Sequence, residues 1–252
     1  MHSETTTTIE AGKRGEALSG AERRERVLGI LSQTQSLVGL VLVGAIFAIL
    51  SDAFLTEYNL LNILRQSAVT AILAAGMTFV IIAGGIDLSV GSVVALTGVI
   101  AAGSMRDGTP VWAAVLIALA IGLAFGAVNG VAVAVLKIPA FIATLGTMTI
   151  GSSVALAYTE GLPISGLPEA FTYLGQGFVG PIPTPVVIAF VVVVLCAVLL
   201  RRTLIGRYAF AIGGNEKASF LSGVRTTRWK ITMYALLGVL GGGDQAAILL
   251  VP

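Results

Sequence analysis

Apolar stretches of about 20 residues, repeated along most of the chain, restrict what this sequence can fold into more than any other feature. A helix of about 20 residues crosses the roughly 30 Å of bilayer hydrocarbon, and backbone in contact with lipid must satisfy its hydrogen bonds internally. The stretches therefore predict membrane-spanning helices. Seven candidates lie at approximately 35–51, 67–86, 88–105, 110–136, 139–158, 185–200 and 231 to the end.

The composition supports the same conclusion. Hydrophobic residues make up 56% of the chain and charged residues 11%, and the mean hydropathy is +0.96, which is far from the values of soluble domains. The 31 glycines favour close packing of membrane helices, and the sequence lacks the ten-residue alternation of a membrane β-barrel. We predict an all-α, polytopic transmembrane bundle of about seven spans, including a broken or re-entrant segment.

Residue usage argues against several kinds of chemistry. The only cysteine, Cys196, lies in an apolar run, and the only histidine, His2, lies in a polar tail, so neither a disulfide framework nor a histidine-based site is expected. The net charge of +2 does not indicate a nucleic-acid partner. No catalytic constellation and no phosphate-binding G-x-x-x-x-G-K-[ST] motif occurs in the sequence. We therefore expect no enzyme activity, no cofactor and no metal site.

The distribution of basic residues predicts the orientation of the chain. With the amino terminus in the cytoplasm, all of the 15 lysines and arginines except Arg65 and Arg106 lie on the cytoplasmic side, as the positive-inside rule requires. Residues 1–33 are polar and predict a disordered cytoplasmic tail. Residues 34–252 form the membrane domain, with a long cytoplasmic loop at 201–230, and the proline-rich stretch 159–185 forms an external loop or broken surface element.

A polar break interrupts the apolar pattern between the second and third candidate spans. Gly84 and Gly85 allow the chain to turn, and Asp87 and Ser89 follow at the start of the next helix. Asp87 is either the N-cap of that helix, accepting backbone N–H groups, or, with Gly84, Gly85 and Ser89, part of a gate or permeation pathway. The sequence leaves both interpretations open.

Small residues recur every fourth position along the fourth span and predict a close helix–helix contact. Gly122, Gly126 and Gly130 lie on one helical face, with Ala118 and Ala134 extending it. We predict that another helix packs along this face.

Three polar side chains in the fourth and fifth spans are further candidates for the gate or pathway. Asn129 lies beside the glycine face, and Thr144 and Thr147 lie in the following span. A buried amide needs a partner helix or a wet cavity, so Asn129 forms either an interhelical hydrogen bond or a substrate contact. The threonine hydroxyls can alternatively bond their own helix backbone.

The cytoplasmic loop 201–230 has more structure than a connector requires. Gly213 and Gly214 break the chain, Asn215 can cap a new helical turn, and 216–224 is long enough for a short helix. A short cytosolic helix beside the membrane predicts a docking element for a soluble partner, and the alternative is a basic loop that contacts anionic lipid. The loop is strongly basic, with one acid, Glu216, against Arg201, Arg202, Arg207, Lys217, Arg225, Arg228 and Lys230.

Several of these segments together resemble the permease subunits of bacterial ATP-binding-cassette sugar importers of the ribose, xylose and galactose type. The resemblance covers most of the chain after the first 30 or so residues and keeps the family's order and spacing. It is carried by FLTEYNLLNILRQSAV at 54–69, GMTFVIIAGGIDLSVGSVVALTG at 76–98, NG at 129–130, KIPAFIATLGTM at 137–148 and GRYAFAIGGNEKASFLSGV at 206–224.

The resemblance implies a multi-pass protein of the bacterial inner membrane that translocates a monosaccharide. Its implied partners are a cytoplasmic ATPase subunit, a periplasmic or lipid-tethered sugar-binding protein, a second permease subunit, usually an identical one, and membrane lipid. The family's coupling segment falls on Glu216, Ala218 and Gly223, and Lys217 departs from it by replacing a common alanine.

The sequence also departs from the family at its end. The resemblance fades near 238–241, Asp244 falls within the apolar stretch, and the family's further spans do not follow. This pattern predicts a chain truncated at its carboxyl terminus. Two alternatives to the importer therefore stay open, namely an ion-coupled secondary transporter that uses Asp87 and an inactive, truncated membrane scaffold.

Overall fold

The computed structural model describes residues 37–243, which fall into two units divided between Asn59 and Leu60. The predicted tail 1–33 and Asp244 lie outside these residues. The elements are α1 (Leu37–Leu50), α2 (Glu57–Ile82), α3 (Val90–Arg106), α4 (Val111–Ala134), α5 (Ala140–Thr159), α6 (Glu169–Gln176), β1 (Phe178–Val179), β2 (Ile182–Pro183), α7 (Thr184–Arg202), α8 (Leu204–Leu221) and α9 (Thr226–Gly243).

The prediction of an all-α membrane protein is confirmed. Four of the described helices, α2, α4, α5 and α7, are long and apolar enough to cross a membrane, and α1 and α3 are shorter apolar helices. Only 17% to 28% of each spanning window is buried inside the protein, so these helices present broad apolar surfaces to their surroundings. The predicted span 139–158 corresponds to α5, whose 20 residues are enough to cross a membrane.

The described part of the first unit consists of α1 and a turn that leads into α2. The rings of Phe47 and Phe54 stack with their centroids 5.7 Å apart. Beyond them, the Asn59 amide donates to the carbonyl of Phe54 at 2.8 Å, and the Thr56 hydroxyl donates to Ala53 at 2.7 Å. These local bonds fix the turn.

Helices α2 and α9 begin earlier than hydropathy predicts. Helix α2 starts at Glu57 rather than near 67, and Arg65, which made the earlier residues look unsuited to a span, finds partners within the protein. Its guanidinium donates to the Gln176 carbonyl at 3.2 Å and lies 5.0 Å from the centre of the Phe178 ring. Helix α9 starts at Thr226 rather than at 231, so its first turn carries charged residues.

Prolines set the first residue of four helices. Helices α4, α5, α6 and α7 begin directly after Pro110, Pro139, Pro168 and Pro183, whose φ angles lie between −59° and −52°. Proline has no backbone N–H, but at this position the helix loses no internal hydrogen bond, because the first N–H groups of a helix have no intrahelical partner.

Helix α3 is the most enclosed element of the second unit. It packs against α4, α5 and α9, and 10 of its 17 residues are buried. It is short for a membrane span, but its neighbours, rather than lipid, surround much of it. Among the non-helical residues between α2 and α3, Ala83, Asp87 and Ser89 are buried, whereas Ile86 and Leu88 are exposed.

The most extensive helix contact joins α4 to α9. The small-residue face predicted on α4 forms this contact, and the two backbones touch. A Cβ on Gly126 would overlap the carbonyl of Tyr234, and one on Gly122 would overlap the carbonyl of Gly238. Gly130 lies against Ile231 in the same row. Without side chains at these points the helices approach closely, which maximises their dispersion contacts.

The external stretch 159–185, predicted as a loop or broken element, contains α6 and the antiparallel hairpin β1–β2. Phe171 of α6 is fully buried, and it packs against Ala101, Met105, Ala114 and Ala118 of α3 and α4. This contact holds α6 over the ends of those helices. The opposite end of the unit carries α8 and many basic residues, and the positive-inside rule predicts that it is the cytoplasmic end.

Candidate functional site

Helix α2 ends in a glycine turn at the predicted break. Gly84 has φ +78°, and its N–H donates to Ile81 at 2.9 Å, while the Gly85 N–H donates to Val80 at 2.8 Å. This pair of bonds is the Schellman arrangement, in which a left-handed residue satisfies the last carbonyls of a helix. Any residue other than glycine would be strained at Gly84.

Asp87 lies in the break and is 4% exposed. Its Oδ1 accepts the backbone N–H of Ser89 at 2.8 Å and the Ser89 hydroxyl at 2.6 Å. The N-cap of α3 is Ser89, not Asp87, so the prediction that Asp87 is the N-cap is wrong. The reason is local: the carboxylate bonds the N–H two residues ahead, before the helix begins, and turns the chain into α3.

Asn129 of α4 connects the break to the rest of the bundle. Its amide group donates to Asp87 Oδ2 at 3.2 Å and to Ser89 Oγ at 2.7 Å, and its carbonyl oxygen accepts from Thr147 Oγ1 at 2.7 Å. The side chain is 1% exposed. Of the two sequence interpretations, the geometry shows the interhelical hydrogen bond.

Thr144 and Thr147 attach α5 to the same group of residues. The Thr144 hydroxyl accepts the Leu88 N–H at 3.1 Å and donates to the Ala140 carbonyl at 2.8 Å. Thr147 bonds Asn129 and also lies within reach of carbonyls of its own helix. The threonine hydroxyls thus bond their own helix backbone, as the alternative interpretation predicts, and each also connects that helix to another element.

We call Asp87, Ser89, Asn129, Thr144 and Thr147 the buried polar cluster. Each of these side chains has a hydrogen-bond partner within the protein. The cavity beside them has a volume of only about 10 Å³, which leaves no room for a sugar and barely enough for one water. In this conformation the cluster attaches the break that separates α2 from α3 to helices α4 and α5. Because its side chains already bond one another or the backbone, the cluster has no side chain left over for a ligand.

Tyr234 of α9 belongs beside this cluster and is missed by the sequence analysis. Its hydroxyl lies 3.5 Å from the Ile86 carbonyl, and a Cβ on Gly85 would lie 2.5 Å from that hydroxyl. The absence of a side chain at Gly85 therefore makes room for Tyr234. The signal that could have identified it is a hydroxyl-bearing side chain within the apolar run that begins at Ile231.

The cytoplasmic helix α8 is kinked at Asn215, whose φ and ψ are −161° and 101°. The Asn215 side chain accepts the Ala218 N–H at 2.9 Å, so it caps a new helical segment as predicted. That segment ends at Leu221, before the predicted end at 224, and Gly223 turns the chain with φ +87°. The first part of α8, up to Gly214, is helical where the sequence analysis predicts a loop.

The three residues to which the resemblance assigns coupling lie at this cytoplasmic end. Glu216 pairs with Lys230 of α9 at 2.5 Å, Ala218 is exposed, and Gly223 forms the turn after α8. Beside them, Phe220 and Leu221 are 65% and 76% exposed. An apolar pair at the tip of a cytosolic helix is a feature that docking surfaces share.

Helix α8 also touches the end of α2. A Cβ on Gly213 would overlap the carbonyl of Ile82, the residue at which α2 ends. Gly213 therefore lies in direct backbone contact with the chain just before the break at Gly84. The structure in this way brings α8 against the end of α2, two residues before the glycine turn that leads to the buried polar cluster.

Metal ligands are not grouped in the described part of the chain. Between residues 37 and 243 there is no group of three or more histidine, cysteine, aspartate or glutamate residues that could hold an ion. Asp87 has amide and hydroxyl partners rather than other carboxylates.

Comparison with known proteins gives consistent results. Residues 59–250 match the family described as the branched-chain amino acid transport system permease component. The match extends past Gly241, so the family resemblance continues further along the chain than the sequence analysis predicts. The chain is 43% identical to the ribose import permease protein RbsC of Haemophilus influenzae over 214 residues, 83% of this chain and 66% of the relative.

Two further relatives have the same kind of function. The ribose import permease protein RbsC of Escherichia coli K12 is 45% identical, over 83% of this chain and 67% of its own length. The fructose import permease protein FruF of Bifidobacterium longum is 37% identical, over 87% and 66%. The chain thus spans about two thirds of the length of these curated relatives. No solved structure matches it.

Proposed function

The chain belongs to the transport-system permease family whose model matches residues 59–250, and from this premise we propose that it translocates a monosaccharide, driven by a separate ATPase subunit. It is a multi-pass protein of the bacterial inner membrane. The observation that carries the proposal is its identity of 40% to 45% with three ribose import permeases. The fructose permease among the relatives extends the substrate class to monosaccharides in general.

The coupling role is proposed for the end of α8 and its neighbours, with Glu216, Ala218 and Gly223 in the docking surface. The exposed Phe220 and Leu221 supply an apolar contact for the ATPase. The ion pair of Glu216 with Lys230 fastens the segment to α9, so a displacement of the tip also displaces a membrane helix.

The buried polar cluster is proposed as a gate rather than as a sugar-contacting part of the pathway. Its polar side chains are hydrogen-bonded to one another or to the backbone, and the cavity beside them is too small for a sugar. Both observations argue against substrate contact in this state. Gly84 and Gly85 supply the turn that such a gate needs. The contact of Gly213 with Ile82 gives α8 a short route to it: movement of α8 pushes on the end of α2, and the break transmits the movement to α3.

The proposed partners are those of a binding-protein-dependent importer. They comprise a cytoplasmic ATPase, a periplasmic or lipid-tethered sugar-binding protein and a second permease subunit, for which an identical copy is the simplest choice. The broad apolar surfaces of the described spanning helices leave room for helix–helix contacts with such a subunit.

Reconstitution tests the function directly. The full chain is placed in proteoliposomes with its ATPase and binding protein, and uptake of radiolabelled ribose, fructose and leucine is measured with ATP or with a proton gradient. We expect uptake of a monosaccharide that requires ATP hydrolysis. Uptake driven by the proton gradient alone would instead assign an ion-coupled transporter, and preference for leucine would overturn the substrate class. Assembly of the complex without uptake under either condition would leave only a scaffold function.

Cross-linking tests the coupling surface. The Phe220→Cys variant is made in a Cys196→Ser background and treated with a short bifunctional maleimide in the assembled complex. Phe220 is more suitable than Ser219, which is 8% exposed and bonds the Ala211 carbonyl. The control is Tyr173→Cys, a side chain that is 51% exposed, against 65% for Phe220, and that lies on α6 at the opposite end. A cross-link to the ATPase from position 220 and none from 173 supports the proposal, and equal labelling or none would refute it.

A further inference from the structure

A cavity at the cytoplasmic end of the protein borders the proposed coupling surface, with which it shares Gly223. It lies between the beginning of α8 and the beginning of α9 and has a volume of about 510 Å³. Its lining includes Leu204 and Tyr208 from α8 and Arg225, Arg228 and Trp229 from the other side. It is much larger than the 10 Å³ space beside Asp87, and unlike that space it is lined by positive charge.

The two arginines are available for a ligand. Within residues 37–243, no carboxylate forms an ion pair with Arg225 or Arg228. The only acid of the loop 201–230 is Glu216, and its carboxylate is already bonded to Lys230. The guanidinium groups therefore provide planar donors that suit the oxygen atoms of a phosphate.

The remaining lining is apolar and aromatic. The rings of Tyr208 and Trp229 are in contact, with centroids 4.9 Å apart and planes at 45°, and Leu204 adds an aliphatic surface. Tyrosine and tryptophan are enriched where a membrane meets water, because each ring has an apolar body and a polar tip. A free inorganic anion would gain nothing from contact with this apolar surface, whereas the glycerol and the first methylenes of a lipid would be buried against it.

The depth of the cavity matches the headgroup region. Its lining extends from Arg225, the residue before α9, to Thr232 within α9, about 10 Å at the rise of a helix. Lys230 is the last charged residue of α9 within the described part, and an apolar run begins at Ile231. The cavity thus spans the level at which the helix passes from water into hydrocarbon, on the cytoplasmic side.

We propose that this cavity binds the headgroup of an anionic phospholipid of the cytoplasmic leaflet. Arg225 and Arg228 hold the phosphate oxygens, and Tyr208, Trp229 and Leu204 cover the glycerol and the start of the acyl chains. Basic pockets between membrane helices on this side of the bilayer are suited to anionic headgroups. The bound lipid would fix the position of α8 relative to α9 and thereby the loop that joins them.

Native mass spectrometry of the full purified chain tests the proposal. The protein is released from nanodiscs made of phosphatidylcholine with a fraction of phosphatidylglycerol, and the retained lipids are counted. We expect retained phosphatidylglycerol on the wild type and at least a tenfold weaker retention on the R225Q/R228Q variant, because each arginine near an anionic surface contributes substantially to binding.

A charge-matched control separates a site from general attraction. The R201Q/R202Q variant loses the same two charges at the end of α7, outside the cavity, and is expected to retain phosphatidylglycerol like the wild type. Equal loss in both double variants would overturn the site. The R225K/R228K variant keeps the charge but not the planar donors, so we expect intermediate retention, and retention no better than that of R225Q/R228Q would contradict the role of charge.

Two further measurements distinguish a lipid from other occupants of the cavity. Millimolar inorganic phosphate is added before release, and displacement of the lipid by phosphate at that concentration would assign a free-phosphate site instead. Assembly with the ATPase is measured in phosphatidylcholine alone. If R225Q/R228Q abolishes assembly there while lipid retention is unchanged, the cavity belongs to the docking surface and the lipid proposal fails. Circular dichroism melts show that each variant is folded.

Discussion

The buried polar cluster and the segment from Leu204 to Lys230 differ in whether their polar side chains have partners within the protein. In the cluster, Asp87, Asn129 and the neighbouring hydroxyls have their partners inside the protein. In the cytoplasmic segment, Arg225 and Arg228 have no ion-pair partner among residues 37–243, and Phe220 and Leu221 are exposed. The polar side chains of the first region are all hydrogen-bonded, whereas the second region has charged and apolar side chains that a partner could contact.

This difference follows from what surrounds each region. At membrane depth an unpaired polar group is costly because neither water nor lipid replaces the lost hydrogen bond. In the cytosol water satisfies an unpaired group at no such cost, so arginines can remain available for a ligand. The first region is therefore suited to holding a conformation, and the second region to binding a partner. The following variants test that division, beginning with the largest effect.

Replacing Asp87 by alanine should have the largest effect. It leaves the Ser89 N–H and hydroxyl without the acceptor Oδ1 and removes one of the two acceptors of the Asn129 amide, at an expected cost of about 3 kcal/mol in the free energy of unfolding. Unfolding in detergent, followed by circular dichroism during SDS titration, measures it. The control is Asp107→Ala, in which the same change is made to a side chain that is 70% exposed and is expected to cost less than about 0.5 kcal/mol. Similar values for the two would remove the distinction between the regions.

Replacing Thr147 by valine should have a moderate effect. The change keeps the shape of the side chain and removes the hydroxyl that donates to Asn129 Oδ1, so about 1 kcal/mol is expected from the loss of one interhelical bond in a membrane protein. Thr149→Val is the matched control, since Thr149 is exposed and bonds only the Leu145 carbonyl of its own helix. The same unfolding assay applies, and a larger loss at 149 than at 147 would contradict the cluster.

Replacing Asn215 by alanine should act locally. It removes the side chain that accepts the Ala218 N–H, a cap expected to contribute about 0.5 to 1 kcal/mol to the short segment that follows. Hydrogen exchange of residues 216–221 should accelerate by a few fold while the exchange of α4 does not change. Asn215→Asp keeps an accepting oxygen and should exchange like the wild type. If α4 responds as much as α8, the segment is not an independent unit.

Replacing Glu216 by glutamine should have the smallest effect on stability. The ion pair with Lys230 is partly exposed, with 39% of the Glu216 side chain and 16% of the Lys230 side chain accessible, so water and salt screen it and about 0.5 kcal/mol or less is expected. A double-mutant cycle with Lys230→Met, run at low and high salt, measures the coupling. A coupling energy that exceeds the effect of Thr147→Val, or that does not fall with salt, would mean that this pair is not screened as its exposure implies.

Hydropathy predicted much of the fold because lipid imposes one simple requirement on each span. Helices α4 and α5, at Val111–Ala134 and Ala140–Thr159, lie within a few residues of the predicted 110–136 and 139–158. The same reasoning misplaced the start of α2, since Arg65 looks like a boundary until its partners on α6 and the hairpin are known. Those partners are more than one hundred positions away in the sequence.

The candidate site was predictable in its membership but not in its geometry. Polar residues in apolar spans drew attention to Asp87 and Asn129, but nothing in the sequence indicates that two residues 42 positions apart share a hydrogen bond. Gly213 was interpreted as a chain breaker. In the structure the helix continues through it, because the missing side chain allows α8 to lie against the Ile82 carbonyl. A glycine that permits contact and a glycine that ends a helix look the same in sequence.

The enclosure of α3 has a consequence for how the protein is made. A translocon releases helices into the bilayer in the order of their synthesis, yet α3 receives one of its neighbours only when α9 has been inserted. Until then Val93 and Val94, which end up against Gly241, lack their contacts with α9. The packing of α3 therefore remains incomplete until α9 has been synthesised. Nascent chains arrested in α8 should accordingly be degraded faster by membrane proteases than chains arrested after α9, which pulse-chase labelling would measure.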